Sequence, residues 1–466
     1  MSVPTITARP FPRTASGPCP GTPGPAIGHE LTSEPPRAAP LDVVGAGLRV
    51  PLVTGERVPY ANLDYAASAP ALTAVRDAVD AALPWYSSVH RGAGYASRVT
   101  TAAYEGARES VRAFLGAWRG DSVVFTRHTT DAMNLLAHAA PRGTTVIVFD
   151  SEHHATLLPW EGHRTVHLPP PPSPADAVDA AGRALREAPG GPRLLVVTAA
   201  SNVTGELWPI GELAEVAHRN GARIAVDAAQ YVPHRRLDMA ALDLDYVAFS
   251  GHKLYAPYGT GVLAGRTDWL AAAPPYLCGG GATRSVRADR DDAGRPHVSW
   301  ARPPERHEAG SPNVLGAIAL AAACEALAAG DRAAAVERED RLVARLRRGL
   351  AAIPEVTELR LWPGDHPRVG IVAFEVAGYA ADLVAAVLSA EHGIGVRDGK
   401  FCAHPFVRDL LGHDGTAVRA SVGAGTTAGH VDRLVAAVRG LVADGPAWTY
   451  GLVDGRIAPT PDPRTA

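Results

Sequence analysis

The sequence predicts an α/β fold, with a large domain built on a mostly parallel sheet, helices on both of its faces, and a smaller α+β C-terminal domain. Three observations carry that expectation. Short continuous apolar runs such as Thr145–Phe149 and 194–198 alternate with Ala-rich helical stretches. Strands covered on both faces by crossover helices read in this way. An aspartate closes the run 224–227, and a second short apolar run, 245–250, precedes Ser250-Gly251-His252-Lys253, so adjacent parallel strands deliver both groups to one end of a sheet. After Asn313 the pattern changes to an Ala-rich helix over Val314–Ala329, another helix around 336–350, and a strand-like run at 369–374. No internal repeat is evident.

A chain of 466 residues holds two domains with full cores. Residues 1–45, rich in Pro, Gly, Ser and Thr, cannot build a core and are expected to form a disordered extension. Residues 46–315 are assigned to an N-terminal segment and the large domain, and 316–442 to the smaller domain. Residues 443–466 form a tail with Trp448, Tyr450 and Leu452 available to pin it to the surface.

Composition removes several classes of function. A formal net charge of −3 provides no basic field, so nucleic acid is not an expected partner. No stretch of about 20 apolar residues offers a membrane span, and prolines from Pro4 onward interrupt any signal-like apolar core. The four cysteines, Cys19, Cys278, Cys324 and Cys402, include no close pair, which suggests neither a disulfide framework nor a metal site and points to a reducing cytoplasm.

Lys253 and Asp227 carry the chemistry. An electron-sink cofactor such as pyridoxal phosphate needs a lysine amine to hold its aldehyde and an acid to keep its pyridine nitrogen protonated. Gly251 and His252 leave little bulk before the lysine, and 256–261 (Ala-Pro-Tyr-Gly-Thr-Gly) is turn chemistry that stops a simple amphipathic helix. Thr129 and Thr130 precede a helical run, where free backbone N–H groups and the helix dipole bind phosphate. His153 follows the apparent strand ending at Asp150, a position at which parallel sheets place functional loops.

Ten segments in order resemble a known family: 63–68 (Leu-Asp-Tyr-Ala-Ala-Ser), 90–92 (His-Arg-Gly), 104–108, 125–132, 152–155 (Glu-His-His-Ala), 201–205 (Ser-Asn-Val-Thr-Gly), the Asp227 and Lys253 blocks, 308–313 (Glu-Ala-Gly-Ser-Pro-Asn) and 418–421 (Val-Arg-Ala-Ser). Over roughly residues 60 to 440 the chain is similar to class V (fold type I) pyridoxal-phosphate enzymes, and among them to Suf-type cysteine desulfurases and selenocysteine lyases. The resemblance implies pyridoxal 5'-phosphate as cofactor, with Thr130, Ser250 and His252 on its phosphate, His153 on its ring, and Asn202 and Gln230 near its phenolic oxygen. It implies a homodimer in which Ser311, where the family usually has Thr, reaches the neighbour's phosphate. Arg419 stands where the family binds the substrate carboxylate, and His90, Arg91 and Arg397 are expected to line the same pocket.

The same resemblance makes Cys402 the nucleophile, five residues after Arg397 and just before Ala403-His404-Pro405. Lys400 or His404 would lower the pKa of such a thiol. The implied reaction takes L-cysteine to L-alanine and leaves a persulfide on Cys402 for a sulfur-acceptor protein. Lys400 and Phe401 replace the two histidines usual before this cysteine, and His128 stands where glycine is common. A second reading keeps the cofactor and makes Cys402 a bystander, in a selenocysteine lyase, C–S lyase, epimerase or aminotransferase. A third, a non-catalytic scaffold, is disfavoured by the presence of both Lys253 and Asp227.

Overall fold

A computed structural model describes residues 41–287 and 296–464, so most of the expected N-terminal extension lies outside the described residues. A seven-stranded sheet forms the centre. In spatial order its strands are Ser122–Thr126, Gly261–Gly265, Tyr246–Ser250, Arg223–Asp227, Arg193–Thr198, Thr145–Phe149 and Arg164–Leu168. Gly261–Gly265 is antiparallel to both of its neighbours, and the remaining pairings are parallel. The five residues of Thr145–Phe149, Tyr246–Ser250 and Gly261–Gly265 are all buried. This is why these strands carry unbroken apolar runs rather than alternation.

Helices cover both faces. One apolar cluster joins Ile147, Phe149, Leu195 and Val226 to Leu213, Leu320 and Trp362. Another, on the opposite face, joins Val146, Leu194 and Tyr246 to Met133, Leu136 and Trp269. Alternate residues of one strand thus feed two cores, as the period-2 pleat requires.

A second sheet of four antiparallel strands runs Val356–Leu359, Ile371–Val376, Ala417–Ser421, Arg397–Gly399. Its core takes Leu346 and Leu350 from one helix, Val384 and Leu388 from a second, and Leu434 and Val438 from a third. The helix expected around 336–350 starts earlier, at Arg332, because Gly330 ends the preceding helix and the Asp331 carboxylate caps the new one by accepting from Ala334 N–H at 3.0 Å. Residues 450–459 form a hairpin, Tyr450–Val453 against Arg456–Pro459. The Glu391 carboxylate holds its base, accepting from Ala447 N–H, Trp448 N–H and Tyr450 O–H. No single helix among the described residues is long and apolar enough to cross a membrane.

The N-terminal segment belongs to the second sheet's surroundings, as Ala61–Asn62 pairs in parallel with Ile394–Gly395. Ser421 N–H then donates to Leu63 O at 2.7 Å, and its hydroxyl accepts from Ala66 N–H at 2.9 Å. This stitching carries Asp64, Ala66 and Ala67 to the end of the large sheet.

One buried ion pair fixes the edge of the large sheet. Arg108, on helix Tyr95–Leu115, makes a two-pronged contact with Glu308 at 2.7 and 2.9 Å, and their side chains are only 4% and 6% exposed. Glu308 also accepts from Tyr104 O–H at 2.9 Å and Phe125 N–H at 2.7 Å. Removing one partner strands the other charge in the interior. Glu308→Ala is therefore expected to lower unfolding stability by about 3 kcal/mol, measured as a shift of the urea midpoint at unchanged slope.

Candidate active site

The site is assembled at the carboxyl edge of the parallel strands, with residues of the smaller sheet opposite. Asp227 ends its strand, and it lies level with Ala248 of the neighbour that ends at Ser250. The chain then turns through Lys253 and re-enters the sheet at Gly261, which pairs with Ser250 on one side and Thr126 on the other. This turn is tight. Gly251 N–H donates to Thr260 O at 2.7 Å and Ala256 N–H to Gly251 O at 2.8 Å. A Cβ on Gly251 would sit 2.7 Å from the Thr260 carbonyl oxygen, so the residue two before the lysine has to be glycine.

Lys253 and Asp227 face a cavity of about 470 Å³, which is also lined by His128, Thr130, His153, Asn202, Ser250, His252, Arg397, Phe401, Cys402 and Arg419. Asp227 is buried, and its carboxylate accepts from Thr156 O–H at 2.7 Å and from Ala229 N–H at 2.9 Å. Burial pulls the Lys253 amine from 10.5 down to about 8; the Asp227 charge opposes that shift, Arg419 adds to it, and the nearby Cys402 opposes it. About a tenth of this amine is therefore unprotonated at pH 7 and about half at pH 8, far more than for an ordinary lysine.

His153 caps the short helix His154–Leu157, its Nδ1 accepting from Ala155 N–H at 3.0 Å. Burial, with Lys253, His154 and Arg419 as further causes, holds its pKa at about 3. The ring is neutral, and a proton on Nε2 follows from the Nδ1 contact.

At the phosphate end the helix is Thr129–Ala139, so Thr129 and Thr130 lie in its first turn rather than before it, with His128 as its cap. His128 Nδ1 accepts from Asp131 N–H at 3.2 Å. The Ser250 hydroxyl meets Thr129 N–H at 2.8 Å and the Thr129 hydroxyl at 2.7 Å, which ties the helix start to the strand before Lys253. Thr130 is exposed to the cavity beside them. His252 is depressed to about 4, first by burial and then by Lys253 and His128.

The smaller sheet supplies the cations. Arg419 and Arg397 lie directly opposite each other on adjacent strands. Like charges in that register repel, an arrangement that an anionic ligand between them relieves. Arg419 is buried; burial first, and Arg397 in addition, pull its pKa down to about 10 against the nearby Asp64 carboxylate. Its Nη1 donates to Asn202 O at 2.8 Å and its Nη2 lies 3.5 Å from Asp64 Oδ1, while its Nε has no partner among the described residues.

Cys402 is exposed at the cavity wall with φ of +53°, directly after Phe401 at +52°. Its carbonyl accepts from His154 N–H at 2.8 Å, and the His154 and His404 rings meet edge to face at 4.6 Å. Lys400, expected beside the thiol as a cation, instead pairs with Asp414. The charges coupled to Cys402 are Lys253 and Arg419.

Three expected residues lie elsewhere. Gln230 is buried beneath the site and donates from Nε2 to Ala66 O at 2.8 Å. His90 and Arg91 do not line the Lys253 cavity of their own chain, but share a separate one with Tyr86, Gly281 and Glu308, and with Ser311, which the resemblance assigns to a neighbouring subunit's site. Sequence reasoning gave no role to Thr156, Asp64 or Phe401. Their partners are remote in sequence, so no local pattern marked them.

The fold and this donor set define a class: an α/β enzyme with a depressed lysine facing a buried carboxylate, beside a helix start suited to phosphate. The sequence model of the aminotransferase class-V family matches residues 61–434, and the chain belongs to that family. Among curated relatives, a cysteine desulfurase of Dickeya dadantii (strain 3937) is 37% identical over 85% of this chain and 95% of its own length. A probable cysteine desulfurase of Vibrio cholerae serotype O1 is 36% identical over 82% and 93%. Among solved structures, the cysteine desulfurase CsdA of Escherichia coli superposes with a TM-score of 0.70 at 35% identity, covering 81% of this chain and 94% of that one. The cysteine desulfurase of Thermococcus onnurineus NA1 gives 0.72 at 31% identity, covering 82% and 94%.

The family's cofactor is pyridoxal 5'-phosphate, and the residues here fit it. They supply an amine that is about half neutral at pH 8, a held carboxylate, a neutral imidazole and hydroxyls at a helix start. Acylation of Lys253 in the apo-enzyme, followed by peptide mass spectrometry, is expected to rise with pH through about 8 and then level off. An ordinary lysine continues to gain reactivity toward 10.5. Because the Asp227 charge raises the Lys253 pKa, Asp227→Asn is expected to move the inflection to lower pH.

Proposed function

We propose that the protein is a pyridoxal-phosphate-dependent cysteine desulfurase that converts L-cysteine to L-alanine and carries the sulfur as a persulfide on Cys402. The observation that carries this reading is the convergence of Lys253, Arg419 and Cys402 on one cavity, in a chain 35–37% identical to proteins named for that activity. Cysteine gives each of the three a group to act on: the α-proton, the carboxylate and the sulfur.

When bound, pyridoxal 5'-phosphate supplies the electron sink for the negative charge that develops as the substrate's α-proton leaves. Thr130, His252 and the start of helix Thr129–Ala139 would hold its phosphate, with Ser250 bracing that helix start through Thr129. Asp227, fixed by Thr156 and Ala229, would keep the pyridine nitrogen protonated. His153 would offer a neutral ring face and Asn202 would stand near the phenolic oxygen, while Gln230 is turned to Ala66 O behind them.

Arg419, with Arg397 opposite, grips the α-carboxylate through its planar fork. Lys253 Nζ takes the α-proton and later returns a proton to carbon. The Cys402 thiolate attacks the substrate sulfur. An S–S bond forms as the Cβ–S bond breaks, the electron pair stays with the carbon fragment, and that fragment is protonated and leaves as L-alanine.

The reading includes a homodimer, a sulfur-acceptor protein and a reducing cytoplasm. Support for the dimer is the separate cavity holding Ser311, His90 and Arg91, beside the exposed apolar residues Trp85, Tyr86 and Tyr95. Support for an external acceptor is the exposure of Cys402 on a short loop leading directly into helix His404–Leu411.

Holoenzyme given L-cysteine and a thiol reductant is expected to release sulfide and alanine in equal amounts, with Cys402→Ala reducing both at least a hundredfold. Sulfide release that survives the substitution favours the reading in which Cys402 is a bystander. Light scattering is expected to give a mass in solution of two chains.

A further inference from the structure

We propose that Phe401 is a positioning residue that locks the Arg419 guanidinium and the Cys402 thiol into one unit, so that the site selects substrates by the span from α-carboxylate to sulfur. The inference rests on the cysteine desulfurase reading and goes beyond it, because it assigns substrate length discrimination to a residue that does not itself react.

Three connections converge on this residue. The Phe401 ring carries the Arg419 guanidinium on its face, with the central carbon 5.0 Å from the ring centroid. Both side chains are buried, at 6% and 4% exposure. A cation desolvated over an aromatic face gains attraction from the ring quadrupole. Asn202 closes a second link, donating from Nδ2 to Phe401 O at 2.8 Å while its own carbonyl accepts from Arg419 Nη1 at 2.8 Å. The third link is covalent, because Cys402 follows directly.

The backbone reinforces the coupling. Phe401 and Cys402 both adopt the left-handed region, at +52° and +53°, which L-residues occupy only when their surroundings over-determine it. Those surroundings are present here. The Phe401 ring packs with Val203, Leu359, Ala373 and Phe406. The Phe401 carbonyl is held by Asn202 and the Cys402 carbonyl by His154 N–H at 2.8 Å. A loop anchored on consecutive carbonyls and on its own aromatic ring cannot swing its thiol independently of Arg419. The distance from the carboxylate grip to the attacking sulfur is thereby fixed, and a substrate one methylene longer no longer spans it.

Phe401→Leu keeps apolar bulk but removes the aromatic face, and Phe401→His keeps a planar face that is neutral at pH 8. With L-cysteine, Phe401→Leu is expected to raise KM roughly tenfold while kcat stays within about threefold, with Phe401→His close to the parent. The advantage of L-cysteine over L-homocysteine in binding, read as the inhibition constant of homocysteine, a competitive inhibitor whose Cγ–S bond the site does not cleave, relative to the KM of cysteine, is expected to fall roughly tenfold in the leucine variant only. In the apo-enzyme, iodoacetate and iodoacetamide alkylate the same Cys402 thiolate, and only the former carries a carboxylate for Arg419. Their rate ratio is expected to fall several-fold in Phe401→Leu and to hold in Phe401→His.

An unchanged KM and an unchanged alkylation ratio in Phe401→Leu overturn the proposal. So does an equal loss in both variants, which assigns Phe401 to packing alone. If the parent enzyme makes no sulfide from cysteine, the desulfurase reading fails, while the alkylation ratio, measured without cofactor or amino acid, still decides whether Phe401 couples Arg419 to Cys402.

Discussion

An amine held half-buried opposite a fully enclosed carboxylate is the constraint on which the rest of this structure depends. Burial disfavours the charged form of Lys253, and the Asp227 charge keeps that shift from running further. The balance leaves a lysine that is protonated or free as its surroundings demand near neutral pH. Holding it requires two rigid strands in a fixed register, a glycine that lets Gly251 approach Thr260, and a helix start bolted to Ser250. The large sheet with its two apolar faces supplies that rigidity.

The smaller sheet contributes groups of opposite character. Where the large sheet brings a lysine and a carboxylate together, the smaller one places two arginines in cross-strand register, with Asp64 as a partial counter-charge. Asp64 is itself pushed up by burial, and its Oδ1 is without a hydrogen bond among the described residues, so it only partly offsets them. The site is thus prepared for an anion before any substrate arrives. The segment Ala61–Ala66 matters because its pairing with Ile394–Gly395 and Ser421 brings the counter-charge to the arginines.

Much of this was legible in the sequence, for identifiable reasons. Asp227 and Lys253 announce themselves because each closes or follows an apolar run buried on both faces, a pattern that continuous hydrophobicity reveals without knowledge of partners. The Val314–Ala329 helix was plain from its Ala-rich composition, and the Asn313 side chain caps it. What escaped notice depends on contacts between distant parts of the chain. Thr156 reaches Asp227 across 71 positions and Asn202 reaches Phe401 across 199, and neither carries a local signature. Lys400 was misjudged for the same reason, since a cation two residues from a thiol suggests activation until Asp414 is seen to take it. His90 and Arg91 are motif residues whose cavity stands apart from Lys253 within one chain, a separation that no reading of order along the sequence can reveal.

The central claim is that sulfur passes from substrate onto Cys402. Holoenzyme mixed with a slight excess of L-cysteine in the absence of reductant, quenched and digested, allows the peptide around residue 402 to be weighed directly. The account predicts that this peptide gains the mass of one sulfur atom, in step with alanine formed, and that the peptide around Cys278 does not. Alanine produced while the residue 402 peptide keeps its original mass would contradict it.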